Sequence, residues 1–403
     1  MQPGDITNKC GASDADLMTE EEWEAQQMEE KIRINRDDYV YGKYSLGSGE
    51  ILSDPKKLYN DVGSPEVIES YKKQIIIDLE KSGIPLHHIP DYNIMNVGTG
   101  REAIAFNQLG AKSVQHYDLS LLNVQRMNKY IKDNALEQKL TTKYTDVVKE
   151  NLPKNHFDYI YLHGIVQCFS NVGTGLLNCI GALKPNGMIW LYFYRSGSFG
   201  VFLIYMIRDL ISDSKNMREY YINAILLRSN LVEPNLHVSG LMDGLFVENM
   251  HLYTPTTYIS FIEECGLEVV SSSKLDPFGK DVDHRFAHPS VVLVCKKTAN
   301  KDLSQVNMDL LSPANSVNQL NDYTDCDITK SINLYKHLKN VIRDKNIHPS
   351  IVMSISFRLF DLHISQYASY KETGFFNGHG ALQKILTNTI QLLNDEYDNV
   401  VKE

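Results

Sequence analysis

Cysteine, basic charge and long apolar runs are all scarce in this 403-residue chain, and each scarcity excludes something. The six cysteines (Cys10, Cys168, Cys179, Cys265, Cys295, Cys326) form no CxxC pair and no regular framework. Neither a disulfide scaffold nor a zinc knuckle is therefore expected, and a reducing cytoplasm is the expected setting. The greasiest stretch, Phe199 to Ile207, stops after nine residues at Arg208, well short of the ~20 that a membrane span needs. The opening residues MQPGDITNKCGASDAD carry neither the basic nor the apolar part of a secretory signal, so a soluble cytoplasmic protein is expected. Lys and Arg number 40 against 50 Asp and Glu, a net charge of −10, the opposite of a surface built to coat nucleic acid. The imbalance is local. Residues 1–35 hold nine acids against Lys9, Lys31 and Arg33, a net of −6, which leaves −4 for the rest.

What is present is ordinary globular composition, 43% hydrophobic and 22% charged, in a chain long enough for two or three structural units. An acidic head (1–35) precedes a helical or lid segment (36–90), in which Val67, Ile68, Tyr71, Ile75 and Leu79 recur at helical spacing. Strand and helix patterns then alternate. Strands are expected at Tyr92–Val97, Ser113–Tyr117, Leu140–Tyr144, Phe157–Leu162 and Met188–Tyr194, and later at Leu267–Ser271 and Val291–Lys296. That alternation predicts βαβ units in a parallel sheet with helices on both faces, hence an α/β core over 91–297. A helical insertion interrupts it at 195–250. Residues 298–328 are polar and read as a linker, and the apolar periodicity of 329–403 predicts an all-helical C-terminal appendage, which offers a surface for self-association.

The strongest local signal is Asn96-Val97-Gly98-Thr99-Gly100-Arg101-Glu102, between a strand and a helix. Glycines there let the backbone turn and approach a ligand, and a helix N-terminus offers N–H donors. Asp118 stands at the tip of the next strand, 18 residues after Gly100, placed to accept from ribose hydroxyls, and Asp146 follows the third strand, placed to accept from an adenine amine. Each acid taken alone reads equally as a helix cap or loop acid. Together they occupy successive strand ends, where open α/β sheets bind ligands.

With these pieces, the chain resembles class I S-adenosylmethionine-dependent methyltransferases. The resemblance is carried by NVGTGREAIAF, HYDLS, TDV, FDYIYLHGIVQCF and ALKPNGMIWLYFY, with NMHLYTPTTYISFIEECGLEVVSS before the sixth strand, over roughly 90–195 and 249–297. It implies a Rossmann-like seven-stranded sheet, its last strand antiparallel, and S-adenosyl-L-methionine as methyl donor. It implies cofactor-binding roles for Asn96, Gly98, Thr99 and Gly100 at the methionine moiety and Asp118 at the ribose. Leu119, Asp146 and Val147 would lie at the adenine, and His163 at the sulfonium end. Two departures stand out: Asn96 where the family usually has an acid, and Glu102 where a third glycine is common. An N-terminal lid is also implied, for which Tyr39, Tyr41 and Tyr44 are candidates.

Methyl transfer needs alignment, exclusion of water and sometimes removal of one proton. Catalytic candidates for that proton are His163, Tyr194 and His251, with Tyr253 beside them; each also reads as a packed or capping residue. Arg195 reads either as a clamp for a carboxylate or as a solvated strand-end charge. Asp281, Asp283, His284 and His288 lie close in sequence, but Pro289 follows at once, so a structural loop is expected and no metal. The expected activity is methyl transfer to a small-molecule acceptor, with no nucleic-acid partner. The alternatives are a methyltransferase-like protein that binds donor or S-adenosylhomocysteine without turnover, and an aminopropyltransferase-like enzyme.

Overall fold

A computed structural model describes residues 65–98, 100–119, 121–196, 198–211, 245, 249–273, 290–316, 326–373 and 378–400. Strands β1 (Asn93–Val97), β2 (Ser113–Asp118), β3 (Leu140–Tyr144), β4 (Phe157–His163), β5 (Leu183–Tyr194), β6 (Leu267–Ser273) and β7 (Ser290–Lys297) form one sheet ordered β3-β2-β1-β4-β5-β7-β6. The first five run parallel, and β7 is antiparallel to both β5 and β6. This is the expected Rossmann-like α/β fold, and the order reverses between β1 and β4, the place where strand-end loops part and leave a crevice.

The described helices are α1 (Pro65–Lys81), α2 (Arg101–Gln108), α3 (Leu121–Asp133), α4 (Val172–Ala182), α5 (Phe199–Ile211), α6 (Pro255–Glu264), α7 (Cys326–Asp344), α8 (Pro349–Thr373) and α9 (His379–Val400). Alternation along the strands splits the core in two. Met95, Val97, Ile160, Leu162, Ile189, Leu191 and Phe193 pack with Val172 and Leu176 of α4 and Phe261 of α6. Ile94, Val114, Tyr159, Tyr161 and Trp190 pack with Ile75 and Leu79 of α1, Phe106 of α2 and Met127 of α3. The starts of α4 and α6 are set by side-chain caps. Asn171 accepts from Thr174 N at 2.9 Å and Thr254 from Thr257 N at 3.1 Å, with Pro255 in the first turn of α6.

A third apolar cluster joins α5 to the C-terminal helices. Phe199, Phe202, Leu203 and Met206 of α5 pack with Tyr335 and Leu338 of α7, Leu359 of α8 and Leu382 of α9. The Tyr335 hydroxyl lies 3.0 Å from the Met206 carbonyl and 2.8 Å from Asp209, and Lys339 Nζ donates to both Asp209 oxygens at 2.7–2.8 Å. The start of the insertion and the C-terminal appendage thus form one helical unit, because neither amphipathic set can bury its apolar stripe alone.

Residues 303–316, inside the expected linker, run along the sheet core in three short 3-10 turns. Leu311 is buried in the core on the α4 side, and the Tyr253 hydroxyl meets the Leu311 and Ser312 carbonyls at 2.9 and 2.8 Å. The acidic head, the Tyr39/Tyr41/Tyr44 cluster and the Asp281–His288 stretch lie outside the described residues.

Candidate active site at the strand ends

The turn after β1 depends on two glycines. Gly98 (φ +130°) and Gly100 (φ +89°) adopt backbone conformations that L side chains rarely reach. They differ in surroundings. Among the described residues a Cβ on Gly98 would meet nothing within 4 Å, whereas one on Gly100 would come within 3.1 Å of Met127 Sδ and 3.5 Å of the His116 ring. The first glycine borders open space; the second lets α2 pack against β2 and α3. Thr99 lies outside the described residues.

Beneath the loop sits His116, fully buried on β2. Its Nε2 meets the Gly98 carbonyl and its Nδ1 the Thr142 hydroxyl at 2.7 Å. A carbonyl can only accept, so Nε2 carries the proton and Nδ1 accepts from Thr142. Burial lowers the imidazole pKa to about 4 despite that carbonyl, so the ring is neutral and serves as a strut for the glycine turn. Next to it on β1, buried Asn96 donates through Nδ2 to the Tyr161 carbonyl at 3.3 Å. Its Oδ1 is buried with no hydrogen-bond partner among the described residues, an acceptor left over at the crevice floor.

Asp118 ends β2 as a nearly buried carboxylate that accepts from Asn123 Nδ2 at 3.1 Å, with His116 Nε2 at 4.0 Å. Asp146 follows β3. Its Oδ1 accepts from Val148 N at 2.9 Å, bracing its own loop, and Lys149 Nζ stands 4.0 Å away. Leu119 is half-buried beside Asp118, and Val147 is buried in the apolar core.

On β4 the face toward α1 and α2 is polar and aromatic. His163 Nδ1 lies 3.1 Å from Glu102 Oε1, reaching across from the first turn of α2. Burial pushes the Glu102 carboxyl upward, but the hydrogen bond and charge of His163 outweigh it and the net pKa is lowered. Two residues earlier, the Tyr161 hydroxyl donates to Asp78 Oδ2 at 3.0 Å, and Gln74 donates to the other Asp78 oxygen at 3.0 Å. Burial raises the Asp78 pKa despite those bonds. Tyr161 stacks on Trp190 (4.2 Å between centroids, 11°), and Trp190 lies nearly parallel to Tyr192 at 6.3 Å.

The catalytic candidates sit at different depths. His163 keeps 31% of its side chain exposed at the strand end. Tyr194, half-buried at the end of β5, connects to it through rings: Tyr194 to Tyr192 at 6.2 Å, Tyr192 to His163 at 4.9 Å. His251 is nearly buried and joins the site indirectly, its backbone N–H donating to the Gln167 carbonyl while Gln167 Nε2 donates to Gly164 O. Burial lowers its pKa. Tyr253 faces the opposite side of the sheet and anchors residues 311–312. Arg195 is fully buried, not a solvated strand-end charge, because the chain folds back over it through Ser196 and the Tyr253 carbonyl.

Glu102, Asp78, His116 and Asn123 were not singled out for these positions by sequence. For Asp78 a signal existed: an acid between Ile75 and Leu79 on the apolar stripe of α1. For Glu102 it was a carboxylate in place of a small residue next to the glycine turn.

Residues 95–191 match the family model described as a methyltransferase domain. For this part of the chain the resemblance to class I S-adenosylmethionine-dependent methyltransferases stands. Among solved structures, an S-adenosylmethionine dependent methyltransferase from Mesorhizobium loti is similar at 16% identity, with 51% of this chain and 90% of that chain covered and a TM-score of 0.34. The CurJ carbon methyltransferase is similar at 12% identity, with 66% of this chain and 61% of that chain covered and a TM-score of 0.36. The YcgJ protein of Bacillus subtilis is similar at 10% identity, with 55% and 99% covered and a TM-score of 0.34. No curated protein matches the chain. Among the described residues no helix is long and apolar enough to cross a membrane.

Proposed function

We propose that this protein transfers the methyl group of S-adenosyl-L-methionine to a small-molecule acceptor by direct in-line displacement. The observation that carries the reading is the joint placement of Gly98, Asp118 and Asp146 at the ends of β1, β2 and β3, within the segment that matches a methyltransferase domain. The residues present fit such a donor. The open space over Gly98 leaves room for its methionine part, and the unpartnered buried Oδ1 of Asn96 supports a donor group coming to that floor. Asp118 would accept from the ribose hydroxyls, with Leu119 beside it, and Asp146 and Val147 would border the adenine. When bound, the donor supplies an activated methyl on a sulfonium; the protein's part is to align the acceptor and exclude water. His163, Tyr194 and His251 border the acceptor side in this reading.

Titration calorimetry with S-adenosyl-L-methionine and S-adenosylhomocysteine tests it. Wild-type protein should bind both, and Asp118→Ala should weaken binding roughly 10- to 100-fold, the loss of hydrogen bonds to a charged group. Absence of binding by the wild type, or an unchanged affinity in the variant, would sink the reading. Conversion of bound donor to S-adenosylhomocysteine separates an enzyme from a protein that only holds the donor.

A further inference from the structure

The geometry points to Glu102 as a positioning residue that fixes His163 as a general base, and hence to an acceptor whose attacking atom carries a proton to be removed, a hydroxyl or an amine N–H. This rests on the methyltransferase reading above and deepens it.

Glu102 stands in the first turn of α2, where the helix N-terminus favours negative charge, and its side chain is only 8% exposed. The pair it forms with His163 spans 61 residues of sequence and bridges α2 to β4. A net lowering of its pKa keeps the carboxylate ionised near neutrality. An ionised carboxylate only accepts, so His163 Nδ1 carries the shared proton, and in the neutral ring Nε2 holds the lone pair. The ring cannot easily turn away. Tyr161, Trp190 and Tyr192 meet it edge-on at 6.0, 5.6 and 4.9 Å. His163 stands at the sheet's carboxyl end, one residue past the paired couple Val97 and Leu162, with 31% of its side chain exposed.

The groups around the ring are Asp78 of α1 and Glu102 of α2, with Arg101 of α2 acting on Glu102 and buried His116 of β2 neutral. From β5 the nearest polar ring is Tyr192. In the step assigned to His163, the acceptor atom forms its bond to the methyl carbon and the carbon–sulfur bond breaks with its electron pair left on sulfur. The acceptor's proton passes to Nε2. The imidazolium so formed is held by Glu102 and later releases the proton to water.

Three measurements on the full chain test this. Long-range ¹H–¹⁵N spectra at pH 8, with His163→Gln used to identify the ring, should show the proton on Nδ1 in the wild type and a mixture of tautomers in Glu102→Gln. A proton on Nε2, a doubly protonated ring, or an unchanged spectrum in Glu102→Gln overturns the assignment. Turnover to S-adenosylhomocysteine is read with alcohols, phenols and primary amines, and in parallel with tertiary amines and thioethers. Activity with the first set is expected; activity confined to the second, or with neither, overturns the acceptor class. With an active acceptor, kcat should fall about 100-fold in Glu102→Gln and recover in part in Glu102→Asp, while donor affinity by calorimetry stays within threefold. An unchanged kcat, or a loss of affinity as large as the loss of kcat, overturns the positioning role. If Glu102→Gln fails to fold, Glu102→Asp and His163→Gln carry the same kinetic comparison. Failure of the wild type to bind donor would instead remove the methyltransferase reading and leave the tautomer result standing.

Discussion

Along β5, Ile189, Leu191 and Phe193 turn toward α4 and α6, whereas Trp190 and Tyr192 turn toward α1 and α2. The same alternation runs through β4, with Ile160 and Leu162 on one side and Tyr159, Tyr161 and His163 on the other. One face is packed with aliphatic and aromatic side chains, Phe193 and Phe261 among them, whose burial contributes stability without direction, about 1.5–3 kcal/mol for each large side chain. The other face also buries aliphatic groups such as Ile75, Ile94 and Val114, but mixes them with rings and with the buried polar groups Asp78, Asn96, Glu102, His116 and Asp118, each of which makes a hydrogen bond to a named partner. Buried polar groups add little net stability when satisfied and are expensive when a partner is removed. The difference teaches that one sheet can divide its labour: an apolar face that only holds the fold, and a mixed face whose polar groups also fix side-chain orientations near the strand ends.

The comparison can be broken by substitution. The largest effect is expected from Leu191→Ala, which should lower unfolding free energy by about 2–5 kcal/mol in urea titrations while leaving donor affinity within threefold. An equal loss of affinity would show that the two faces are not separable.

Acid comes next, through His116. Its folded pKa of about 4 lies below the unfolded 6.5, so the unfolded state binds the extra proton and stability falls as pH drops from 6.5 toward 4, by on the order of 3 kcal/mol. His116→Gln should remove that part of the acid sensitivity, read as the difference between variant and wild type in urea midpoints at pH 7 and 5. Asp78 titrates with the opposite sign. Burial raises its pKa, so the folded state holds the proton more tightly and this group's contribution to stability declines as pH rises above 3.8. Asp78→Asn should flatten that decline; a variant that loses stability equally at pH 5 and 7 would contradict it.

A smaller loss, about 1–3 kcal/mol, is expected for Tyr161→Phe, which leaves the buried Asp78 carboxylate without its hydroxyl donor. The smallest belongs to the helical unit. Lys339→Ala removes a pair whose side chains are 41% and 39% exposed, and thermal melting should register less than about 1 kcal/mol.

Much of the sheet was legible in the sequence because strand burial leaves a local mark. The near-continuous apolar and aromatic run Phe157-Asp158-Tyr159-Ile160-Tyr161-Leu162, the glycines after β1 and the acid ending β2 are all short-range features. The pairing of Glu102 with His163 leaves no such mark, since it depends on β4 lying beside β1 in a parallel register that brings residues 61 positions apart together. Nor does the periodicity of α7, α8 and α9 state what they cover. An amphipathic stripe specifies that something apolar must lie against it, and only packing identifies that partner as α5.

The scarcities met first in the chain, of cysteine, of basic charge and of long apolar runs, argued by themselves against whole architectures, and local patterning placed the seven strands, although β5 begins at Leu183 and not at the expected Met188. Tertiary structure decided the rest: that the stretch read as a linker is docked at Leu311, that Arg195 is enclosed, and that Asp78, Glu102 and His163 lie on one side of the sheet. The physical reason is range. Backbone conformation answers to neighbours a few residues away, whereas burial and the proton position on an imidazole answer to groups that only folding brings within reach.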